Sequence, residues 1–470
     1  MKHHKKGAFA AMVKSRVFQS GGLTLLLCAL AIAAAAALNM TVGALPAQQT
    51  KFDLSAQKLY SLSQKTENLL DGLTQQVTLY QIARPGSESL MVSTLLEKYA
   101  GRTSYVTMQV VDPVSNPAFI KQYTDDTVNE NSVIVACGDK FKVLDLADMV
   151  LTDYDVTTGQ QIQEFDGEAR ITSAISLLAG AERPVLYVLS GHGEYELDSQ
   201  FLDLLEKENY QVKELNLLSM GGVPGDAAAV LASESSADIS AQEREYLQSY
   251  LGGGGSLMLL TDYLQSGYPN WEKLAAGYGM SLLPGVAVEQ DASRYLSGYP
   301  TFILPQLREH AVTKGLMASN QLYLIASAQA LTTPEKETEN VTVSRLLITS
   351  EEACLATETE TSDAGAFCLA AAAEKTAAAP SRMVWITSTS MLNSVIDSQV
   401  SGANSDFVLN ALNWLAGIEE GSTIRPKSLF AEGVLMTASQ TNFWSVLLIG
   451  AIPVLLIGVG VAVCLVRRRR

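Results

Sequence analysis

Four polar side chains that follow predicted strands are the best candidates for chemistry in this sequence: Ser190, His192, Glu194 and Asp262. An imidazole near a carboxylate could act as a general base, but such a base needs a nucleophile or a metal ion. Ser190 stands two positions before His192 and does not form a GxSxG elbow. We therefore expect no catalytic residues. His192 and Glu194 either contact a ligand or partner, or hydrogen-bond the backbone of a turn.

The elements that must position these residues predict a doubly wound α/β domain. Residues 185–189 form a short apolar run of β-branched and aromatic side chains, which is typical of a buried parallel strand. Two glycines allow a sharp turn after it, and residues 197–207 have the apolar spacing of a helix. Ligands of such domains bind at the carboxyl ends of the strands. Asp262 follows another predicted strand, residues 256–260, and either lines the same crevice or caps the next segment.

Glycines and histidines elsewhere do not indicate a cofactor. Gly252–Gly255 follow a helix that begins with a capping box at Ser240 and Glu243. A phosphate loop follows a strand and opens a helix, whereas these glycines precede a strand, so we expect them to end the helix. His310 is expected to be a structural loop residue. The sequence has no GxxxxGK[ST] and no spacing typical of a metal site, so we predict neither cofactor nor metal.

Two apolar segments near the chain ends predict membrane helices. Residues 17–45 and 443–466 are each long enough to cross a bilayer, which takes about 20 residues. A basic tail, residues 1–16, precedes the first, and four arginines, residues 467–470, follow the second. Positive residues stay on the cytoplasmic side. We therefore predict a two-pass protein of the cell membrane, with both termini cytoplasmic and residues 46–442 exterior. The alternative for the first segment is a cleaved signal peptide.

The charge balance excludes one class of partner. The chain has 33 basic and 49 acidic residues, and nine of the basic ones lie in the two tails. The predicted exterior part therefore carries a net charge of −25, which excludes nucleic acid as a partner. Three cysteines fall in this part in no CxxC pattern, and a disulfide could join Cys354 to Cys368.

The exterior part divides into two predicted α/β domains. Residues 46–163 have alternating strand and helix patterns followed by a hairpin, and residues 164–180 form a helix that links them to the second domain. The second domain spans residues 181–428 and begins with the strand at 185–189. Within it, residues 351–380 are rich in Ala, Thr and Glu and poor in large apolar side chains, which predicts a flexible excursion.

Several short motifs follow one another through most of the exterior part. They are Phe52-Asp-Leu-Ser with Tyr60-Ser-Leu-Ser63, Asp112-Pro113, Phe165-Asp-Gly-Glu-Ala-Arg-Ile-Thr-Ser-Ala-Ile175, Gly191-His-Gly-Glu194, Ser240-Ala-Gln-Glu243 leading to Gly253-Gly254, His310-Ala-Val-Thr-Lys-Gly-Leu316, Asn404 with Phe407, and Asn410-Ala-Leu-Asn-Trp-Leu415. In this order, and between two predicted membrane anchors, they resemble the Gldg family (gliding-motility-associated) of ABC transporter auxiliary proteins.

The resemblance implies an exterior α/β region whose second domain is similar to the class I glutamine amidotransferase fold, without established catalytic residues. It also implies an ABC ATPase subunit and a multi-span permease subunit as partners on separate chains. The chain departs from the family's common pattern at Ala232-Ser233-Glu234, where a Gly-Pro is frequent, and in the Ala-rich stretch 351–380.

The sequence thus predicts a membrane-anchored auxiliary subunit, not itself an ATPase or other enzyme, of an ABC-type transport system. Its ectodomain would bind a partner or the transported substrate. One alternative is a stand-alone exterior module that binds a sugar or a peptide. Another is a hydrolase that uses His192.

Overall fold

A computed structural model describes residues 61–154, 161–234, 236–317, 321–334, 340–376, 379–418 and 423–429, and four further positions nearer the chain ends. The predicted membrane segments, residues 17–45 and 443–466, and the basic tails beyond them fall almost entirely outside these residues. Within the part of the chain that is described, no helix combines the length and apolar character needed to cross a membrane.

The first domain is an α/β unit around a four-stranded sheet. Its elements in chain order are α1 (Gln64–Asp71), β1 (Val77–Ile82), α2 (Leu90–Arg102), β2 (Val106–Val111), α3 (Pro117–Ile120), β3 (Val133–Cys137) and β4 (Lys140–Leu144). The sheet order is β2-β1-β3-β4. β1 and β2 are parallel, and β3 pairs antiparallel with β1 and β4. The predicted hairpin is therefore confirmed, and Ser63 caps α1 as its sequence suggests.

A smaller sheet lies beside the first domain and includes the last strand of the described residues. It follows α4 (Leu146–Met149) and consists of β5 (Val150–Tyr154), β6 (Gln161–Phe165) and β22 (Lys427–Ser428), in the order β22-β6-β5. The sequence analysis assigned Lys427 and Ser428 to the second domain. In the structure these two residues pair with β6, a contact that local patterns cannot predict because it spans more than 250 positions.

Helix α5 (Gly167–Leu178) corresponds to the predicted linking helix and contacts both domains. Its apolar residues Ile171 and Ile175 are fully buried in the core of the first domain, together with residues of β1 and α2. Its polar residues Arg170 and Ser173 reach the second domain. The apolar face of this helix thus packs against the first domain, and its polar face contacts the second.

The second domain is built on five parallel strands. In chain order its elements are β7 (Val185–Leu189), α6 (Ser199–Lys207), β8 (Gln211–Leu215), α7 (Leu217–Met220), β9 (Ala227–Glu234), α8 (Ala241–Gly252), β10 (Ser256–Thr261) and α9 (Pro269–Ala276), and later β21 (Ser381–Ile386), a 3₁₀ turn (Thr389–Leu392), α10 (Ser394–Ser398) and α11 (Ala403–Leu415). The parallel strands lie in the order β8-β7-β9-β10-β21.

Helices cover both faces of this sheet because successive side chains of its strands point to opposite sides. Leu186 packs in one core with residues of α6 and α11. Its neighbour Tyr187 packs in a second core with residues of α8 and α9. Burial on both faces explains why these strands have continuous apolar runs rather than alternating ones. The predicted α/β class is confirmed.

A long insertion between α9 and β21 contains antiparallel strands, some at the far edge of this sheet and the others in two small separate sheets. These are β11 (Ser281–Leu283), β12 (Val286–Val288), β13 (Tyr295–Leu296), β14 (Tyr299–Ile303), β15 (Gln306–Leu307), β16 (Ile325–Ala326), β17 (Ala330–Thr332), β18 (Val341–Ile348), β19 (Cys354–Ala356) and β20 (Cys368–Lys375). β20 pairs with β21 on one side and with β17 and β18 on the other.

The prediction of a flexible excursion at residues 351–380 is wrong for its second half. Residues 368–373 of β20 are all buried, with exposures of 3% or less. Alanine has a small apolar side chain, so a strand of alanines can be covered closely on both faces while its composition looks poor in large apolar residues. Cys354 and Cys368 are both buried free thiols, so the disulfide considered for them is absent.

Candidate functional site

The carboxyl ends of β7 and β9 form the switch point of the parallel sheet. From β7 the chain continues to β8 on one side, and from β9 it continues to β10 on the other. The connections diverge and leave a crevice above these two strand ends, which is where open α/β sheets bind ligands. His192 and Glu194 follow β7 directly, and Glu234 ends β9. The fold therefore brings polar residues to its most probable binding position.

The turn after β7 depends on its two glycines. Gly191 and Gly193 have φ angles of +122° and +76°, a region that side chains other than glycine rarely adopt. A Cβ on Gly193 would also lie 2.2 Å from the Ser236 hydroxyl oxygen. That hydroxyl donates to the carbonyl oxygens of His192 and Gly193, at 3.1 and 2.9 Å. The turn is thus fixed against the segment that follows β9.

The carboxylate of Glu194 stabilises the same turn through hydrogen bonds to its backbone. Its Oε2 accepts hydrogen bonds from the backbone N–H groups of Gly191 and His192, at 3.0 and 2.9 Å. Glu194 therefore makes the backbone hydrogen bonds of one of its two predicted roles. Its second oxygen, Oε1, lies 3.0 Å from Nδ1 of His192. Glu194 consequently orients the imidazole as well as the backbone.

His192 lies between two carboxylates. Its Nε2 is 3.0 Å from Oε2 of Glu243, opposite the contact of Nδ1 with Glu194. Burial alone would lower the pKa of His192, but the hydrogen bonds to the two carboxylates outweigh it and raise that pKa. Burial would likewise raise the pKa values of Glu194 and Glu243, and their hydrogen bonds lower both. With both ring nitrogens engaged, the imidazole is not placed as a free general base.

Glu243 belongs to the capping box of α8. The N–H and hydroxyl of Ser240 donate to its Oε2, at 2.9 and 2.7 Å, and the Ser240 hydroxyl accepts from the Glu243 N–H. The capping box predicted from sequence is confirmed, and α8 ends at the glycines as expected, with Gly253 as its C-cap. The same Oε2 of Glu243 that accepts from the Ser240 N–H also contacts His192, so the capping box fixes the carboxylate beside the imidazole.

Glu234 has no such partners. Its side chain is 0% exposed, and neither carboxylate oxygen has a hydrogen-bond partner among the described residues. Burial raises its pKa to about 8, the charge of Glu194 adds to the rise, and the charge of His192 opposes it. Its carbonyl oxygen does have partners, the N–H of Asp262 and the hydroxyl of Tyr268, at 3.1 and 3.2 Å. We call His192, Glu194, Glu234 and Glu243 the His192 cluster.

Ser190 and Asp262 lie beside this cluster without joining it. The Ser190 hydroxyl donates to the carbonyl of Leu215 at 3.4 Å. The carboxylate of Asp262 accepts from the N–H and the hydroxyl of Thr389, at 2.7 and 2.6 Å. Thr389 opens the 3₁₀ turn after the neighbouring strand β21, 127 positions away, so these contacts are not the predicted capping of the segment that follows Asp262. His310 is a structural residue as expected: its Nδ1 accepts from the N–H of Val312.

Sequence analysis missed Glu234 and Glu243 as members of the cluster. Glu243 was visible only as part of a capping box, and its contact with His192 spans 51 positions. A signal for Glu234 did exist, because a carboxylate ends the apolar strand 227–233 at the edge where ligands bind. The sequence analysis noted Glu234 only because Ala232-Ser233-Glu234 stands where the resembled family frequently has a Gly-Pro.

A second buried carboxylate, Glu168, lies where the first and last described segments of the two domains meet. Glu168, at the start of α5, accepts from the Ser63 N–H and the Thr66 hydroxyl through Oε1, at 2.6 and 2.9 Å. Its Oε2 accepts from Nζ of Lys427 at 2.7 Å. Lys427 Nζ also donates to the carbonyl of Ser61 at 2.6 Å. We call these five residues the Glu168 cluster.

Comparisons with known proteins were made for the whole chain. Residues 56–149 match a family described as a domain of unknown function (DUF7088). No curated protein matches. Similar solved structures include the mmIFT52 N-terminal domain, with 12% identity and a TM-score of 0.38 over 49% of this chain and 97% of that chain. A ThuA-like protein from Parabacteroides merdae has 13% identity and a TM-score of 0.31 over 52% and 93%.

A ThuA-like protein from Bacteroides uniformis is also similar, with 12% identity and a TM-score of 0.27 over 50% of this chain and 93% of that chain. Identities and TM-scores of this size leave the function of the chain to be argued from its own residues.

Proposed function

We propose that this protein is a two-pass, membrane-anchored auxiliary subunit of an ABC-type transport system and that it has no ATPase or other enzymatic activity. In this proposal the two α/β domains form an exterior ectodomain between an N-terminal and a C-terminal transmembrane helix. The second domain has an amidotransferase-like, non-catalytic fold. An ATPase and a multi-span permease, on separate chains, are its partners.

The observation that carries the proposal is the Glu168 cluster. Ser61 and Ser63 are among the first described residues after the first apolar segment, and Lys427 is among the last before the second. All three are hydrogen-bonded within this one cluster. The two ends of the described chain that lead towards the apolar segments therefore lie at one location. This supports a protein whose two anchors cross the membrane side by side and return the chain to its starting side.

Helix α5 supports a role in transmitting movement. Glu168, at its first turn, contacts both segments that lead to the anchors. Two residues further on, Arg170 donates to both carboxylate oxygens of Asp203 on α6, at 2.8 and 3.0 Å. The Ser173 hydroxyl donates to Oδ1 of Asn209 at 3.0 Å. In the proposed subunit, α5 is the element through which a shift of the anchors reaches the second domain.

The surroundings of His192 favour binding over hydrolysis. Both ring nitrogens face carboxylates at 3.0 Å, and the nearest hydroxyl in sequence, Ser190, is directed to the Leu215 carbonyl. A nucleophile activated by His192 would need a hydrogen bond to one of those nitrogens. The sequence also lacks a GxxxxGK[ST] motif, which fits a subunit whose energy comes from a partner ATPase.

The test is co-purification of the full-length chain after gentle detergent extraction from its native membrane. We expect an ATPase and a multi-span permease in constant ratio with it. Lys427→Met, which removes the cation of the Glu168 cluster, is expected to lower that ratio, while Lys273→Met, at an exposed position on α9, leaves it unchanged. Recovery of the chain alone, under conditions that keep other membrane complexes intact, would contradict the proposal and favour the stand-alone sugar- or peptide-binding module.

A further inference from the structure

The His192 cluster places three potential metal ligands close together. One nitrogen of His192 and one oxygen from each of Glu194 and Glu234 all lie within 4.8 Å of one another. Three atoms that each bind one Zn²⁺-sized ion at about 2.1 Å lie about 3.4–3.6 Å apart in tetrahedral or trigonal geometry. A pair at the 4.8 Å limit therefore needs to approach by about 1.3 Å to share one ion.

Glu234 gives an independent indication of a ligand. Its carboxylate is fully buried, is directed at the other two ligand atoms, and has no hydrogen-bond partner in the part of the chain that is described. Buried polar groups are ordinarily satisfied, and an exception needs an explanation such as an ion. The backbone of Glu234 is held by Asp262 and Tyr268. Only its side chain is left without a partner, and it faces the switch point.

We infer that His192, Glu194 and Glu234 bind a divalent transition-metal ion at the carboxyl ends of β7 and β9. Imidazole ligands suit Zn²⁺ and Fe²⁺, and a mixture with carboxylates also admits Mn²⁺, whereas Mg²⁺ and Ca²⁺ prefer oxygen alone. Two carboxylates balance the charge of one such ion. The ion supplies the Glu234 carboxylate with the partner that the described residues do not provide.

Glu243 is a positioning residue in this site. With the ion on the Nδ1 side of His192, the Nε2–H donates to Glu243 across 3.0 Å. A ligating histidine almost always donates its other N–H to a carboxylate, carbonyl or water, which fixes the tautomer and the ring orientation. Ser240 holds Glu243 in turn through two hydrogen bonds. The helix cap of α8 therefore orients the imidazole.

The site is open to solvent on one side. Gly191 and Gly193 are exposed, and the side chains of His192 and Glu194 retain 13% and 10% of their accessible surface. Three protein ligands leave at least one coordination position free, as in metal sites that bind a water or a substrate. An anionic oxygen of a ligand can complete the coordination, which gives the crevice a ligand class beyond the transport role proposed above.

Metal binding is tested on the purified full-length chain in detergent, stripped with a chelator. Isothermal titration with Zn²⁺ and Mn²⁺, and with Mg²⁺ for comparison, is expected to give one ion per chain and weaker binding of Mg²⁺. Glu243→Gln should weaken binding by about 10–100-fold, and Glu234→Gln by more. Glu214→Gln, the same substitution at an exposed position on the neighbouring strand β8, should leave it unchanged.

Two outcomes overturn the inference. One is a wild-type chain that takes up no transition-metal ion at millimolar concentration. The other is a Glu234→Gln chain that binds as tightly as wild type. Thermal unfolding of each ion-free variant checks that it is folded, and Glu234→Ala replaces Glu234→Gln if the latter is not. The titration requires no partner chain, so a failure to co-purify an ATPase or permease leaves its result intact.

Discussion

Glu168 and Glu234 are both buried, at 3% and 0% exposure, but their surroundings are opposite. The carboxylate of Glu168 accepts three hydrogen bonds, one of them from a lysine. The carboxylate of Glu234 accepts none from the described residues. Burying a charged or polar group costs free energy unless partners replace the lost water. The described residues supply those partners for Glu168 and supply none for the carboxylate of Glu234.

The difference separates a structural carboxylate from one suited to a ligand. Glu168 joins segments that are far apart in sequence, so its ion pair and hydrogen bonds stabilise the fold. Glu234 ends a strand at the switch point, where the parallel strands of such sheets bind ligands. Unfavourable burial of this kind clusters at functional sites, where the compensating partner comes from outside the chain. The same substitution at the two positions should therefore have effects of opposite sign.

The largest effect is expected for Glu168→Met. This substitution leaves the Lys427 ammonium, the Ser63 N–H and the Thr66 hydroxyl without their acceptor. Removing one partner of a buried ion pair typically lowers the free energy of unfolding by about 3–5 kcal/mol. Urea unfolding of the full-length chain, followed by tryptophan fluorescence, measures it. Glu245→Met, on the exposed face of α8, is the control and should change it by less than about 0.5 kcal/mol.

The next largest effect is expected from adding and removing the metal ion. A ligand that binds only the folded state stabilises it by about 2.7 kcal/mol when present at 100 times its Kd. Zn²⁺ or Mn²⁺ should therefore raise the thermal midpoint of the wild-type chain, and a chelator should reverse the rise. Glu234→Met should show no rise. Equal shifts in wild type and variant would place the ion somewhere other than the His192 cluster.

A smaller effect of opposite sign is expected for Glu234→Met without any ion. A buried polar group left unsatisfied costs about 1–3 kcal/mol, and an apolar side chain of similar shape removes that cost. We therefore expect the free energy of unfolding to rise by up to about this amount. The measurement is the urea unfolding used for Glu168→Met, in the presence of a chelator. A decrease comparable to that of Glu168→Met would show that Glu234 is held by partners and would remove the contrast between the two glutamates.

Local patterns were sufficient for most single elements of the fold. The strand β7, the helix α6 and the capping box of α8 were predicted because each depends on residues within a few positions of one another. The α/β class followed from their alternation. β20 was not predicted, because an alanine-rich strand is recognised only once its neighbours on both sides are known.

The contacts that make the candidate site join residues far apart in the sequence, so local patterns do not predict them. The contact between His192 and Glu243 spans 51 positions, and that between Glu168 and Lys427 spans 259. Neither follows from periodicity or from a short motif. Half of the site, His192 and Glu194, could be located from the strand-turn-helix pattern alone. The other half depends on strand order, because β9 lies beside β7 although β8 comes between them in the chain.

The smallest expected effect concerns His310, a half-buried base whose hydrogen-bond partner suits its neutral form. Its Nδ1 accepts from the Val312 N–H, and its ring packs edge-on against Trp414. Burial lowers the pKa of His310, and the nearby charges of Glu374 and Arg382 act in opposite directions. Because the unfolded chain then takes up this proton first, stability is complete above about pH 6.5 and falls as the pH drops below it.

His310→Asn keeps an acceptor for the Val312 N–H and removes the titrating group. We therefore expect the free energy of unfolding to fall less between pH 7.5 and pH 5.5 in the variant than in wild type. The difference is at most about 1.4 kcal/mol for each unit by which the pKa of His310 is lowered, and urea unfolding at the two pH values measures it. His192, whose pKa is raised, is present in both chains and cancels in the comparison. Equal losses in both chains would mean that His310 is protonated as easily in the fold as in water, and that burial without ionic partners does not disfavour charge at this position.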